Sequence, residues 1–345
     1  MKKKWICCFF TCGLIAATQA QKFIPDHDTT YYKTYRDRLT ARAYLSRKYT
    51  SLHFNPPSGL PKFVYSPNTT LNFGIGATYH AFTLNIGIGI SRFNPDEVRG
   101  KTRYLDLQAH YYARKWNFDL LGEFYRGYYL TPKGDAAPPG ETYYTRNDLR
   151  LNLVGLAAYR CLNERKFSYQ AGLLQNEWQK KSAGSVLVGA EVYYGAVFGD
   201  SALAPRVIDS IYVQKDIERL HFFEIGPGVG YAYTLVIRQH FFALASATVN
   251  LSLRVASEHS VRMDRSFEKT DFTPNTIFHA GIGYNTDKWN LSALWVSTKL
   301  YIRGPYSDYK YSVGTGNYRL IYARRLALSH KVKKALQPIP DIMGK

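Results

Sequence analysis

The amino-acid sequence predicts an all-β fold, a transmembrane antiparallel up-and-down β-barrel of about 12 strands, and three observations lead there. Apolar and polar residues alternate with period two along most of the chain, which puts them on opposite faces of extended strands. Many of these runs last about 10 to 14 residues, closer to the roughly 9–11 of a tilted membrane strand than to the 5–6 of a soluble one. No internal stretch supplies the roughly 20 consecutive apolar residues of a spanning helix, because Asn, Arg, Gln or Gly interrupts each candidate.

Composition agrees with that class. Of 345 residues, 46% are hydrophobic and 15% aromatic, far too many rings for a disordered chain. The mean hydropathy is nevertheless −0.30. Alternation reconciles the two, since half of each strand can face lipid while the other half stays polar. The formal charge of +19 calls for an anionic neighbour. Nucleic acid is not expected, because Lys and Arg are scattered over turns and strand ends with no recognition module to present them. Outer-membrane lipid, with the phosphates of lipopolysaccharide meeting basic side chains at the rim, is the expected partner.

In chain order, residues 1–20 read as a secretory signal peptide. Lys2–Lys4 form the basic start, Trp5 to Ala17 the apolar stretch, and Thr18-Gln19-Ala20 the cleavage site. Cys7, Cys8 and Cys12 fall inside it, so Cys161 is the one thiol left and no internal disulfide is expected. Residues 21–38 read as a short periplasmic segment, 39–330 as the barrel and 331–345 as a tail. The barrel opens with Leu39 to Thr50. Leu71 to Tyr79 and Phe82 to Ile90 then form a hairpin turning at His80-Ala81. Thr102 to Arg114, Trp116 to Tyr128, Asp148 to Arg160, Lys166 to Gln175, Ser185 to Phe198 and Gly228 to Ile237 follow. Phe241 to Val255, Thr276 to Tyr284, Trp289 to Thr298 and Tyr318 to Leu328 complete the series. Short links such as Arg238-Gln239-His240 roughly alternate with long polar ones such as Pro132 to Thr145 and Glu258 to Pro274, as expected of tight turns on one rim and loops on the other. The runs number about 13, an odd count for a bacterial barrel, and loop alternation fails between Lys166 and Leu220.

Several segments resemble a known family. Tyr31 to Leu39, Tyr65-Ser66-Pro67-Asn68, Gly74 to Tyr79, Gln179 to Ser185, Gly226 to Tyr231 and Tyr233 to Val236 look like the Bacteroidota barrel family catalogued as domain of unknown function 4421. The resemblance spans nearly the whole mature chain and implies an outer-membrane β-barrel of unassigned activity, with no catalytic residue to carry over.

Two constellations stand out. Gln179, Lys180, Lys181, Ser182 and Ser185 offer donors that would suit an anionic ligand in the lumen or on a loop, or simply an exposed turn. Asp106 and His110 share one face of their run, as do Asp119 and Glu123 on the next. An inward cluster of that kind either fills the barrel with hydrogen bonds or orients an imidazole for chemistry. Asp26-His27-Asp28 reads as a solvated tail rather than a metal site, so neither metal nor cofactor is expected. The resulting expectation is a structural, ligand-binding or small-solute transport barrel. The alternatives are a barrel enzyme acting on outer-membrane lipid and a soluble periplasmic β-rich binding protein.

Overall fold

A computed structural model describes residues 26–55, 62–79, 82–90, 97–205, 213–308 and 310–328. The residues expected to form a signal peptide, with Cys7, Cys8 and Cys12, the expected His80-Ala81 turn and the expected tail at 331–345 lie outside the described residues. The strands are β1 (Tyr32–Thr34), β2 (Arg38–Asn55), β3 (Phe63–Ser66), β4 (Asn72–Tyr79), β5 (Phe82–Gly89), β6 (Arg103–Tyr112), β7 (Trp116–Thr131) and β8 (Thr145–Cys161). A short helix α1 (Tyr169–Leu173) precedes β9 (Glu177–Gln179), β10 (Ala183–Phe198), β11 (Ile217–Ile237), β12 (Phe241–Ser260), β13 (Arg265–Asn285), β14 (Trp289–Arg303) and β15 (Lys310–Ala327).

The backbone ladder closes on itself. It runs antiparallel from β2 through β3, β7, β8 and β10 to β15 in sequence, and β15 pairs back onto β2 from Lys310 opposite Asn55 to Ala327 opposite Arg38. The closed ring therefore has ten strands, not about 12. Two errors account for the difference. The run Lys166 to Gln175 is not a strand: Ser168 caps α1 by accepting the Ala171 amide at 3.0 Å, and Phe167, Tyr169 and Leu173 pack inside the barrel. The alternation of those apolar residues imitates a strand while serving a helical turn. Furthermore, β4, β5 and β6 lie outside the ring, whereas the four-residue β3, too short to register as a period, bridges β2 to β7.

That bridge divides the wall. Near one rim β3 joins Leu52–Phe54 of β2 to Tyr129–Thr131 of β7. Toward the other rim β4 takes its place beside Thr40–Ser46 of β2, β5 pairs with β4, and β6 pairs with β7. Among the described residues β5 and β6 share no ladder, so the wall has a seam there. The seam lies toward the rim of tight turns at 113–115, 238–240 and 286–288, opposite the rim that carries the longer connection at 132–144 and the ends of β10 and β11 at Phe198 and Ile217. The stretch expected as a long loop, Glu258 to Pro274, is instead a hairpin, with β12 and β13 paired up to Ser260 opposite Arg265. Both its faces are polar, which erases the period-two signal.

Alternation decides which side chains face in. Along β12 the odd positions Phe241, Val249, Leu251, Leu253 and Val255 are exposed on the outer wall, while Leu244, Ser246, Asn250, Ser252 and Arg254 are buried inside. Exposed aliphatics continue around the outside on β4, β6, β8, β10 and β11. At the turn rim Trp178, His240, Tyr284, Trp289 and Tyr322 form a chain of ring contacts.

Candidate functional site

The connection between β8 and β10 folds into the barrel as a plug. Its β9 strand pairs with β1, and its backbone carbonyls are taken by arginines of the wall. Arg325 on β15 donates to Gln175 O at 2.6 Å and to Glu177 O at 3.0 Å, and Arg42 on β2 donates to Leu174 O at 2.8 Å. A buried carbonyl without such a donor costs on the order of 1–3 kcal/mol, so these cations fix the plug in one position. The segment that carries β1 is in turn tied to the turn rim. Lys33, Arg38 (3.0 Å) and Tyr35 (3.1 Å) converge on Asp287 in the β13–β14 turn. Hydrogen bonds from Lys33, then from Arg38 and Tyr35, hold the Asp287 carboxyl well below its ordinary range. His27 is buried and stacks on Tyr32 at 4.4 Å, and burial lowers its pKa. Of the Asp26-His27-Asp28 triplet, His27 is thus packed rather than solvated while Asp26 stays exposed, and no cluster of metal-ligating side chains occurs among the described residues.

The five loop candidates serve this plug. Gln179 is buried, accepts the Ser168 amide at 2.9 Å and donates to Lys166 O at 2.7 Å. Lys180 lies over the Trp178 ring and Lys181 over the Tyr31 ring. Ser182 accepts the Val236 amide at 2.8 Å, and the buried Ser185 accepts that of Asn163 at 2.9 Å. None of the five lines the cavities formed by the described residues at the seam, at the loop rim or beside His279.

The inward residues of β6 and β7 do gather. Asp106 receives Lys48 at 2.6 Å and Tyr125 at 2.6 Å. Glu123 accepts Thr50 at 2.7 Å, Thr315 at 2.6 Å and Gln108 at 3.0 Å. Nearer the turn rim, His110 Nδ1 lies 2.6 Å from Asp119 Oδ1, which also accepts Tyr112 Oη at 2.8 Å. Sequence reasoning missed a third inward group, in which the Asn275 amide donates to both Glu191 (2.6 Å) and Glu224 (2.7 Å). Its signal was present: Glu191 is an acid on the face opposite the exposed Val186 and Val188 of its strand.

A cavity of about 490 Å3 opens beside the first two groups, within the size range of small-molecule sites. Its walls include the inward side chains Tyr104, Gln108, His110, Asn317 and Arg319, and Leu173 and Leu174 of the plug form its end. Leu84, Leu105 and Leu107 line the same cavity, although they stand on the outer face and are 54%, 54% and 58% exposed. Residues from both faces of β5 and β6 can line one space only if that space passes between the strands. Arg319 stands over the Tyr44 ring at 5.1 Å, and its buried Nε has no hydrogen-bond partner among the described residues. Tyr44 in turn lies flat against Gly74, where a Cβ would come within 2.1 Å of its ring. No hydroxyl or thiol other than Tyr112 hydrogen-bonds His110 among the described residues.

The fold and site define a class: a closed antiparallel β-barrel with an internal plug and a parted wall. The chain belongs to the family described as domain of unknown function (DUF4421), whose pattern matches residues 26–323. No curated protein matches the sequence. Among solved structures, the chain is similar to the outer membrane protease OmpT from Escherichia coli at 9% identity and a TM-score of 0.35, covering 85% of this chain and 97% of that one. It is also similar to the translocator domain of the autotransporter NalP from Neisseria meningitidis at 8% identity and a TM-score of 0.34, covering 84% and 88%.

Proposed function

We propose that this protein is an outer-membrane β-barrel that binds an amphiphile with a single acidic head group, admitted from the lipid through the seam between β5 and β6. The belt of exposed aliphatics on a closed sheet supports the membrane placement, since a soluble periplasmic protein rarely exposes so large an apolar surface. The observation that carries the ligand reading is the cavity shared by outward Leu84, Leu105 and Leu107 and inward Gln108, His110 and Arg319. An acyl chain suits the leucines at the mouth. Within the cavity Lys48 is neutralised by Asp106, which leaves the Arg319 guanidinium to meet an anion. The plug favours binding over open conduction. A lipid-modifying enzyme would need a nucleophile beside the His110–Asp119 pair, and His110 has only Asp119 and Tyr112 for partners among the described residues.

Binding of a fluorescent long-chain carboxylate to the detergent-folded protein tests this. Arg319→Gln is expected to weaken binding at least tenfold without altering heat-modifiable mobility on gels. Unchanged binding in that variant, or none by the native protein to carboxylate or phosphate amphiphiles, would overturn it.

A further inference from the structure

We propose a second site on the outer wall near the loop rim, where an arginine row binds the phosphate groups of an outer-leaflet lipid. Arg103 of β6 stands directly opposite Arg126 of β7, and Arg126 directly opposite Arg150 of β8. All three belong to the outward set. Arg103 alternates in phase with the exposed Leu105 and Leu107, Arg126 with Phe124 and Leu120, and Arg150 with Val154 and Leu156. Like charges at directly opposed positions of one sheet face repel each other. None of the three makes an ion pair with an acid among the described residues, and Asp148, the carboxylate two residues from Arg150, is already held by Arg146 at 2.8 and 2.7 Å. The row carries an electrostatic cost that a bound anion would remove.

The surroundings indicate which anion. Lys101, Arg103 and Arg126 line a cleft of about 830 Å3 together with Asn68, Thr70 and Asn147, with Glu97 as the one acid among its described residues. Arg126 is oriented there by donating from Nε to Asn147 O at 3.2 Å, which leaves its terminal nitrogens for a ligand, and Arg150 lies over the Phe198 ring at 5.5 Å. Immediately toward the turn rim, the next outward cross-strand row is Leu105 and Phe124. Guanidinium forks match phosphate geometry. A cationic row bordering an aliphatic belt, on the side of the long loops that barrels direct outward, selects a phosphorylated lipid over a soluble phosphate. The site rests on the outer-membrane reading and adjoins the seam cavity, with Tyr104 lining both, but the two share no cation, so Arg319→Gln and the arginine-row variants test them separately.

The test is native mass spectrometry of the full-length protein in detergent, titrated with a bis-phosphorylated lipid A and with the same lipid after dephosphorylation. The native protein is expected to retain the phosphorylated lipid, and the combined Arg103→Gln, Arg126→Gln and Arg150→Gln variant to bind it at least tenfold more weakly. Arg324→Gln, at the opposite rim, is expected to change nothing. Should the combined variant fail to fold by heat-modifiable mobility, Arg126→Gln alone is expected to weaken binding several-fold. Equal retention of the dephosphorylated lipid, undiminished binding in the variants, or displacement by millimolar inorganic phosphate would overturn the proposal.

Discussion

Gly127 shows how much of this barrel rests on single positions. It lies at the irregularity where β7 slips register against β8 between Arg126 and Tyr128, with φ of +91°, and a Cβ there would meet the Lys101 carbonyl oxygen at 2.2 Å. The left-handed backbone alone costs a side chain about 1–2 kcal/mol, and the carbonyl contact adds to it. Gly127→Ala is therefore expected to lower the urea midpoint of unfolding, and an unchanged midpoint would show that the bulge is pliable. Glu123 makes the complementary case inside the lumen. Its two oxygens accept from Thr50, Thr315 and Gln108, so Glu123→Ala leaves buried donors unmet and should destabilise by about 1–3 kcal/mol in the same assay. Glu123, like Asp106, His110 and Asp119, was legible in the sequence because period two assigns each residue to a face. Their hydrogen-bond partners on β2 and β15 were not legible, because pairing across more than 190 positions (Glu123 with Thr315) depends on ring closure.

At the scale of elements, what could be read depended on which solvents the two faces meet. Strands such as β12 stood out because one face is aliphatic and the other largely polar from Ala243 to Val255. The outer parts of β12 and β13 did not, since both faces there are polar. The helix α1 was hidden for a different reason: five residues cannot display a 3.6 period, and its burial comes from a lumen that exists only after closure. The plug it belongs to makes a prediction of its own. Removing the Arg325 donors with Arg325→Met uncovers the carbonyls of Gln175 and Glu177, and protease is expected to cut the 162–182 connection much faster while the barrel keeps its heat-modifiable mobility. Full resistance would show that the wall arginines do not hold the plug. The N-terminal clasp carries a pH signature. Because the folded Asp287 carboxyl sits below its ordinary value of 3.8, its contribution is complete above that pH and declines only as pH falls below it. Asp287 and Lys33 are each about two-fifths exposed, so screening limits that contribution to about 1 kcal/mol or less. Asp287→Asn should make residues 26–38 more protease-sensitive than the native chain at pH 7, and equal resistance of the two proteins at pH 7 would count against the clasp.

For the whole molecule, a ten-stranded ring parts toward one rim, and a plug stands behind the opening. The strand count could not be read from the sequence, because β4, β5 and β6 alternate as well as any ring strand and only the four residues of β3 decide which strands close. A plugged lumen predicts that the protein reconstituted in a planar bilayer is silent, while a variant lacking residues 167–179 conducts; stable channels from the native protein would contradict the plug. The most direct measurement is photo-crosslinking in lipid vesicles with a long-chain carboxylate bearing a diazirine on its acyl chain, followed by peptide mapping. The expected labels fall on Leu84, Leu105, Leu107 and the plug residues Leu173 and Leu174, and diminish in Arg319→Gln. Labels spread evenly over the aliphatic belt, with none on the plug, would contradict entry through the seam.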